Sequence, residues 1–212
     1  MLFTSGNADS AGYAEARPME AEPGTKFEYS TATTTILADI ITRTLTDSTD
    51  PKVRRDNAMR FIQGRLLEPL EMDSTFVEFD KNGTFLGGSF IHATARDYAK
   101  FGEFLRNQGA RKGAQHLPVS WVKFMRTSSK NDAAYGGHIW LNKPRPEGRN
   151  PVLFPGNGPD TIFAALGHLG QLIVVSPEQK LTVVRLGKTQ DDVLNIPVQQ
   201  IGRIMRLFPI SG

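Results

Sequence analysis

Gly167-His168-Leu169-Gly170-Gln171 sets an imidazole between two glycines. An apolar approach, residues 162–165, leads into it and a strand-like run, residues 172–175, leaves it. The histidine is therefore expected at the edge of a hairpin entering a sheet, facing a ligand or the core. Far upstream, Tyr29-Ser30-Thr31 opens a helical pattern and places a phenol beside two hydroxyls. Ser120-Trp121-Val122-Lys123 puts a serine one helical turn from a lysine, the spacing at which an amine can assist a hydroxyl nucleophile. His92, His116 and His138 lack carboxylate or imidazole neighbours at ligand spacing, so neither a metal site nor a cofactor is expected.

These residues depend on the elements that carry them. Residues 1–28 are rich in Gly, Ala, Glu and Pro without a sustained period, and read as an irregular surface segment ending at Pro23-Gly24-Thr25. Ile36, Leu37, Ile40, Ile41 and Leu45 then recur at helical spacing, predicting a core helix with Ser and Thr at its start for capping. A second helix is expected over residues 57–67, stopped by Glu68-Pro69. Residues 80–88 form a hairpin-like loop in which Asn82-Gly83 and Gly87-Gly88 permit positive φ.

Thr94-Ala95-Arg96-Asp97 begins a helix running to about Asn107, with Tyr98, Phe101, Phe104 and Leu105 as its buried stripe. Leu117-Pro118 starts a short helix in which Ser120 caps and Trp121 packs. Residues 135–141 read as a strand entered through Gly136-Gly137, and a Pro- and Gly-rich loop, residues 144–159, follows. Residues 181–186 supply the second strand of the final hairpin. Over residues 195–207, Ile196, Val198, Ile201, Ile204, Met205 and Leu207 mark one face of a terminal helix. The fold class is α+β: one domain, residues 1–212, with an antiparallel sheet and packed helices.

The bulk numbers exclude several function classes. A net charge of +3 from 25 basic and 22 acidic residues, scattered along the chain, is too small for a nucleic-acid footprint. No apolar run is long enough to span a bilayer, so no membrane span is expected. With no cysteine, disulfides, thiolate metal sites and cysteine nucleophiles are excluded, while the redox compartment stays open. The first residues have neither a basic n-region nor an apolar h-region.

Three stretches stand in a meaningful order: Phe27-Glu28-Tyr29-Ser30-Thr31, then Gly88-Ser89-Phe90-Ile91-His92-Ala93-Thr94-Ala95-Arg96-Asp97, then Gly167-His168-Leu169-Gly170-Gln171. Leu66-Leu67-Glu68-Pro69-Leu70-Glu71-Met72 and Leu117-Pro118-Val119-Ser120-Trp121-Val122 connect them. On these residues the chain resembles the class C β-lactamase-like serine hydrolases, a group that includes penicillin-binding proteins, D-amino-peptidases, esterases and 6-aminohexanoate-dimer hydrolases. The resemblance covers nearly the whole chain. It implies a β-lactamase/transpeptidase-like fold and hydrolysis of an ester, amide or β-lactam through an acyl-enzyme. Members carry, in order, a Ser-x-x-Lys nucleophile element, a Tyr-x-Asn or Tyr-x-Ser element and a Lys-Thr-Gly or His-x-Gly strand. Here Leu2-Phe3-Thr4-Ser5-Gly6 is similar to the segment that follows the nucleophile helix. The chain is thus expected to be a C-terminal portion, lacking the Ser-x-x-Lys element and the N-terminal strands.

The resemblance also assigns roles. Tyr29 matches the tyrosine that moves protons to and from the nucleophile, which requires a neighbouring cation because free tyrosine titrates near about 10. In the family that cation is the nucleophile-element lysine. The backbone N–H of Gln171 matches an oxyanion-hole donor. Thr31, His168 and Gly170 fall on substrate-binding positions; Thr31 departs from the usual Asn or Ser, which replaces an amide by a hydroxyl. Ser120-x-x-Lys123 lies between the other two elements instead of before them, so it is expected to be only a helix start. Lys188-Thr189-Gln190 lacks the glycine of Lys-Thr-Gly and reads as a solvated loop.

The implied partner is a small-molecule or peptide-like acyl substrate, with turnover lost where the nucleophile is absent. Self-association through an uncovered sheet edge is expected as well. The alternative reading is a non-catalytic, penicillin-binding-like pseudoenzyme or binding protein. By family analogy the compartment is the periplasm or cell envelope, with the cytoplasm open.

Overall fold

The structure, a computed structural model, describes residues 6–210. The chain divides between Thr94 and Ala95 into two compact units. Leu2 to Ser5, part of the segment compared with the end of a nucleophile helix, lie outside the described residues.

The N-terminal unit is mainly helical. Within residues 1–28, expected to be irregular, α1 (Ser10–Glu15) forms one short helix whose Ser10, Ala11 and Ala14 are buried. Asp9 caps it by accepting from the Gly12 N–H. α2 (Thr31–Leu45) packs on α1 and on α3 (Pro51–Ile62). The inward face of α2 is Thr35, Ala38, Asp39 and Thr42, whereas Ile40 and Ile41 are 48% and 46% exposed. The expected core helix therefore buries the opposite face from its aliphatic one. Small residues allow close helix approach, and the threonine hydroxyls satisfy themselves on the preceding turn: Thr35 Oγ1 donates to Thr31 O at 3.1 Å and Thr42 Oγ1 to Ala38 O at 2.9 Å.

A buried ion pair organises this inner face. Arg54 on α3 donates to Asp39 Oδ1, to Thr84 Oγ1 at 3.2 Å and to Asn82 O at 2.9 Å. Pro69 does not end α3 as expected. A π-helical stretch, Gln63–Leu67, shifts the hydrogen-bond register, and helix continues as α4 (Glu68–Leu70). The wider turn accommodates a ring that has no N–H to give. β1 (Phe76–Val77) pairs antiparallel with β2 (Ile91–His92).

The C-terminal unit holds the main sheet. α5 (Ala95–Arg106) lies against a four-stranded antiparallel sheet in the order β5 (Trp140–Leu141), β6 (Phe163–Gly167), β7 (Gln171–Ser176), β8 (Leu181–Arg185). Gly102 lets α5 approach closely, because a Cβ there would stand 2.6 Å from Thr182 Cγ2. The β6–β7–β8 meander matches the strand-like runs in the sequence, with Leu172, Val174 and Val175 buried. β3 (Ala110–Arg111) and β4 (Ala114–Gln115) make a small separate hairpin, followed by α6 (Val119–Met125). α7 (Asn195–Met205) covers the end of the unit with Val198, Ile201 and Met205, while Ile196, Ile204 and Leu207 face outward.

Two expectations in this unit change. Only Trp140 and Leu141 of residues 135–141 form strand; Gly136 is squeezed into a loop where a Cβ would sit 2.0 Å from Met125 O. Pro118, not Ser120, is the N-cap of α6, and no side chain caps it. Trp121 and Phe124 are 53% and 58% exposed and stack on each other at 5.3 Å instead of packing inward. Among the described residues, no helix is long and apolar enough to cross a membrane.

Candidate functional site

Within the N-terminal unit, Tyr29 and Thr31 flank Ser30, the N-cap of α2. Ser30 is extended, and its Oγ accepts the Ala32 N–H at 3.1 Å, which fixes how the chain enters the helix. That entry leaves Tyr29 47% exposed just outside the first turn. Gly88 comes up against this turn: a Cβ on it would meet Thr31 Cγ2 at 2.6 Å and Thr31 O at 3.0 Å. Gly87 is similarly confined by the Phe85 ring, at 2.7 Å. Of the glycines in this loop only Gly83 has positive φ, at +77°. Gly87 and Gly88 are needed for close approach and not, as expected, for backbone freedom.

Within the C-terminal unit, His168, Leu169 and Gly170 form the turn between β6 and β7. Leu169 and Gly170 are both left-handed, with φ of 57° and +77°. Such a tight reversal exposes the His168 ring at the end of the sheet. Each carbonyl of the turn is held. His168 O accepts from Gln171 Nε2 at 3.2 Å, Leu169 O from the Thr189 N–H at 3.0 Å, and Gly170 O from Arg185 Nη1 at 2.5 Å. Arg185 also donates to Thr189 Oγ1 at 2.7 Å. The stretch Lys188-Thr189-Gln190, expected to be a solvated loop, thus supplies a brace.

A trans peptide sends its carbonyl and N–H in opposite directions. With Gly170 O held by Arg185, the N–H of Gln171 leaves on the side away from Arg185. The turn therefore presents an imidazole, while its own acceptors are occupied. The sequence offered no local sign of the Arg185 brace or of the contact between Gly88 and Thr31, because the partners lie 15 and 57 residues apart.

The literal Ser-x-x-Lys lies elsewhere in the same unit. Ser120 is exposed in the first turn of α6, and among the described residues no hydrogen bond joins it to Lys123. His92 does gain a carboxylate that the sequence kept apart: its Nε2 stands 2.7 Å from Glu78 Oε1, and both side chains are exposed.

Two carboxyls are shifted from their ordinary range, each for a readable cause. Burial raises the Asp80 carboxyl above its ordinary range, against hydrogen bonds from the N–H groups of Ser10 at 2.9 Å and Thr84 at 2.8 Å. The Arg106 hydrogen bonds lower Glu103, with Thr182 Oγ1 donating a further bond at 2.6 Å.

Comparison with solved structures returns the same fold. A Bacillus anthracis protein provisionally assigned as a 6-aminohexanoate-dimer hydrolase superposes with a TM-score of 0.68 at 22% identity, covering 92% of this chain and 48% of its own. A β-lactamase from Mycobacterium bovis gives 0.62 at 17% identity, covering 88% and 66%. A protein from Bacteroides dorei, provisionally assigned as a β-lactamase, gives 0.58 at 16%, covering 93% and 65%. The chain thus spans between about half and two thirds of the length of these structures. No curated protein matches it. The β-lactamase family model matches residues 3–195, nearly the whole chain, and the chain therefore belongs to the β-lactamase family of serine hydrolases.

Proposed function

We propose that this chain carries two of the three elements of an acyl-transferring serine hydrolase, and that alone it turns over no acyl substrate. Tyr29 is assigned proton transfer, the Gln171 N–H oxyanion stabilisation, and Thr31, His168 and Gly170 contact with an ester, amide or β-lactam substrate. The two units together make up the C-terminal portion of a single β-lactamase-like domain. The observation that carries this reading is Tyr29, held exposed immediately before the capped start of α2 in a chain of this family. A phenol there can exchange protons with a ligand without distorting the helix.

The inactivity rests on Ser120. It is the serine of the only Ser-x-x-Lys in the sequence, and it is not hydrogen-bonded to its lysine. A serine without a base beside it is a weak nucleophile.

Two measurements test this reading. The 212-residue chain is mixed with nitrocefin or p-nitrophenyl acetate and, separately, with a fluorophosphonate, followed by peptide mass spectrometry. No burst and no labelled serine are expected; a burst lost in Ser120→Ala would instead make Ser120 the nucleophile. The coding sequence upstream of Met1 is then read for an in-frame Ser-x-x-Lys, and the longest in-frame form is assayed. That form is expected to hydrolyse one of these substrates, with Tyr29→Phe lowering kcat by about 100-fold or more. A longest form that has no such element and only binds ligand would leave the non-catalytic binding protein as the correct reading.

A further inference from the structure

At the other end of β6 from the His168 turn, a cavity of about 340 Å³ opens between the end of α6, the end of β5 and the start of β6. Its size is at the small end of the range for ligand pockets. Lys123, Arg126 and Lys143 line it, with Asp160 as the only carboxylate among the lining residues. We propose that this cavity binds a small molecule through an anionic head group, either a phosphate or a carboxylate.

The three cations are set differently, and each keeps donors to give. Arg126 is half-buried; its Nη2 donates to Thr161 O at 3.2 Å, and its guanidinium lies 5.1 Å over the Phe163 ring. Those contacts fix the plane of the guanidinium and use one of five N–H groups. Burial pulls the Arg126 pKa down, and the charge of Glu178 opposes that shift. Glu178 is thus a second negative charge near the site, and its Oε1 is oriented by accepting from Thr161 Oγ1 at 2.8 Å. Lys143 Nζ donates to Ser128 Oγ at 2.9 Å, which orients the ammonium and leaves its other two donors. Lys123 is exposed at the rim and makes no ion pair among the described residues.

A half-buried arginine and two flanking ammoniums against two carboxylates, Asp160 and Glu178, leave a net positive charge, which an anionic head group relieves with charge-assisted hydrogen bonds. The five residues of β6 put this cavity roughly 16 Å from the His168 turn, at ~3.3 Å per residue. It is therefore separate from the residues assigned to acyl transfer and does not rest on their roles.

The test titrates the 212-residue chain at low ionic strength with inorganic phosphate and, separately, with citrate, by calorimetry and by amide chemical shifts. Saturable binding is expected, with shifts at Arg126, Lys143 and Thr161 and none at His168. Lys123→Ala/Lys143→Ala should weaken it by about tenfold or more, while Lys81→Ala/Lys188→Ala, the same charge change at exposed sites elsewhere, should stay within about twofold. Equal thermal transitions in both double variants confirm folding. Binding of one probe alone supports the site and identifies the head group as phosphate or carboxylate. Non-saturating titrations, equal loss in both double variants, or shifts centred elsewhere would overturn the proposal.

Discussion

Arg185, the last residue of β8, donates from Nη1 to the carbonyl oxygen of Gly170 at 2.5 Å, tying the sheet edge to the turn that presents His168. A charged donor on a partly buried carbonyl contributes about 1.5–3 kcal/mol. Arg185→Met should therefore cost roughly 1–2 kcal/mol after allowing for partial exposure. It should also speed amide exchange over residues 168–171, with Arg185→Lys recovering part of both effects. Unchanged exchange in Arg185→Met would show that the turn holds itself.

Neighbouring residues of that turn should respond with opposite signs. Leu169 has φ of 57°, so Leu169→Gly relieves a left-handed strain of about 1 kcal/mol. Gly170 has φ +77°, and a Cβ there would lie 3.2 Å from Thr189 Oγ1 and 3.3 Å from Arg185 Nη1. Gly170→Ala should cost about 1–2 kcal/mol. Urea denaturation of the two variants decides the matter, and equal signs would contradict the turn geometry.

On α2 the rule that aliphatic residues matter most should invert. Asp39→Ala leaves Arg54 buried without its carboxylate and is expected to cost about 3–5 kcal/mol. Ile40→Gln, on the exposed aliphatic face, should stay within about 0.5 kcal/mol. A large loss for Ile40→Gln would mean that this face is covered in solution.

Two carboxyls should give stability–pH slopes of opposite sign. Asp80 is raised in the folded state, so the folded chain binds its proton more readily than the unfolded chain does. Its contribution therefore falls as pH rises from the ordinary Asp value through the raised one. Glu103 is lowered, so its contribution is present above the ordinary Glu value and is lost as pH falls through the lowered one. Denaturation midpoints across the acid range should show Glu103→Gln flattening the acid loss. Asp80→Asn should remove a decline on the higher-pH side. Parallel slopes in both variants would contradict these assignments.

β8 is an edge strand of the sheet among the described residues, and its five residues are all partly exposed. Such an edge offers unpaired backbone groups to a second strand. Sedimentation velocity is expected to show concentration-dependent association that Val184→Lys suppresses. A monomer at every concentration would remove the edge from consideration.

Much of this protein was legible from local pattern. The strand-like runs at residues 172–175 and 181–186 announced β7 and β8, the capping sequence at Thr94 announced α5, and the order of the Tyr29 and His168 stretches announced the family. Capping, period and turn chemistry act over a few residues, so one dimension is enough to read them. What the pattern misled on was α2. Its aliphatic stripe suggested the buried face, but the Asp39–Arg54–Thr84 network claims the interior, and a helix cannot turn both sides inward.

The sequence by itself therefore determined the α+β class, the main helices and the final hairpin, the family and the position of Tyr29 at a helix start. Tertiary structure decided which face of each helix is buried, that Gly88 must be small to approach Thr31, and that Arg185 and Thr189 hold the His168 turn. It also gathered Lys123, Arg126 and Lys143 around one cavity. The physical reason is range: burial and long-distance hydrogen bonds depend on which surfaces meet, and no short window of sequence contains both partners.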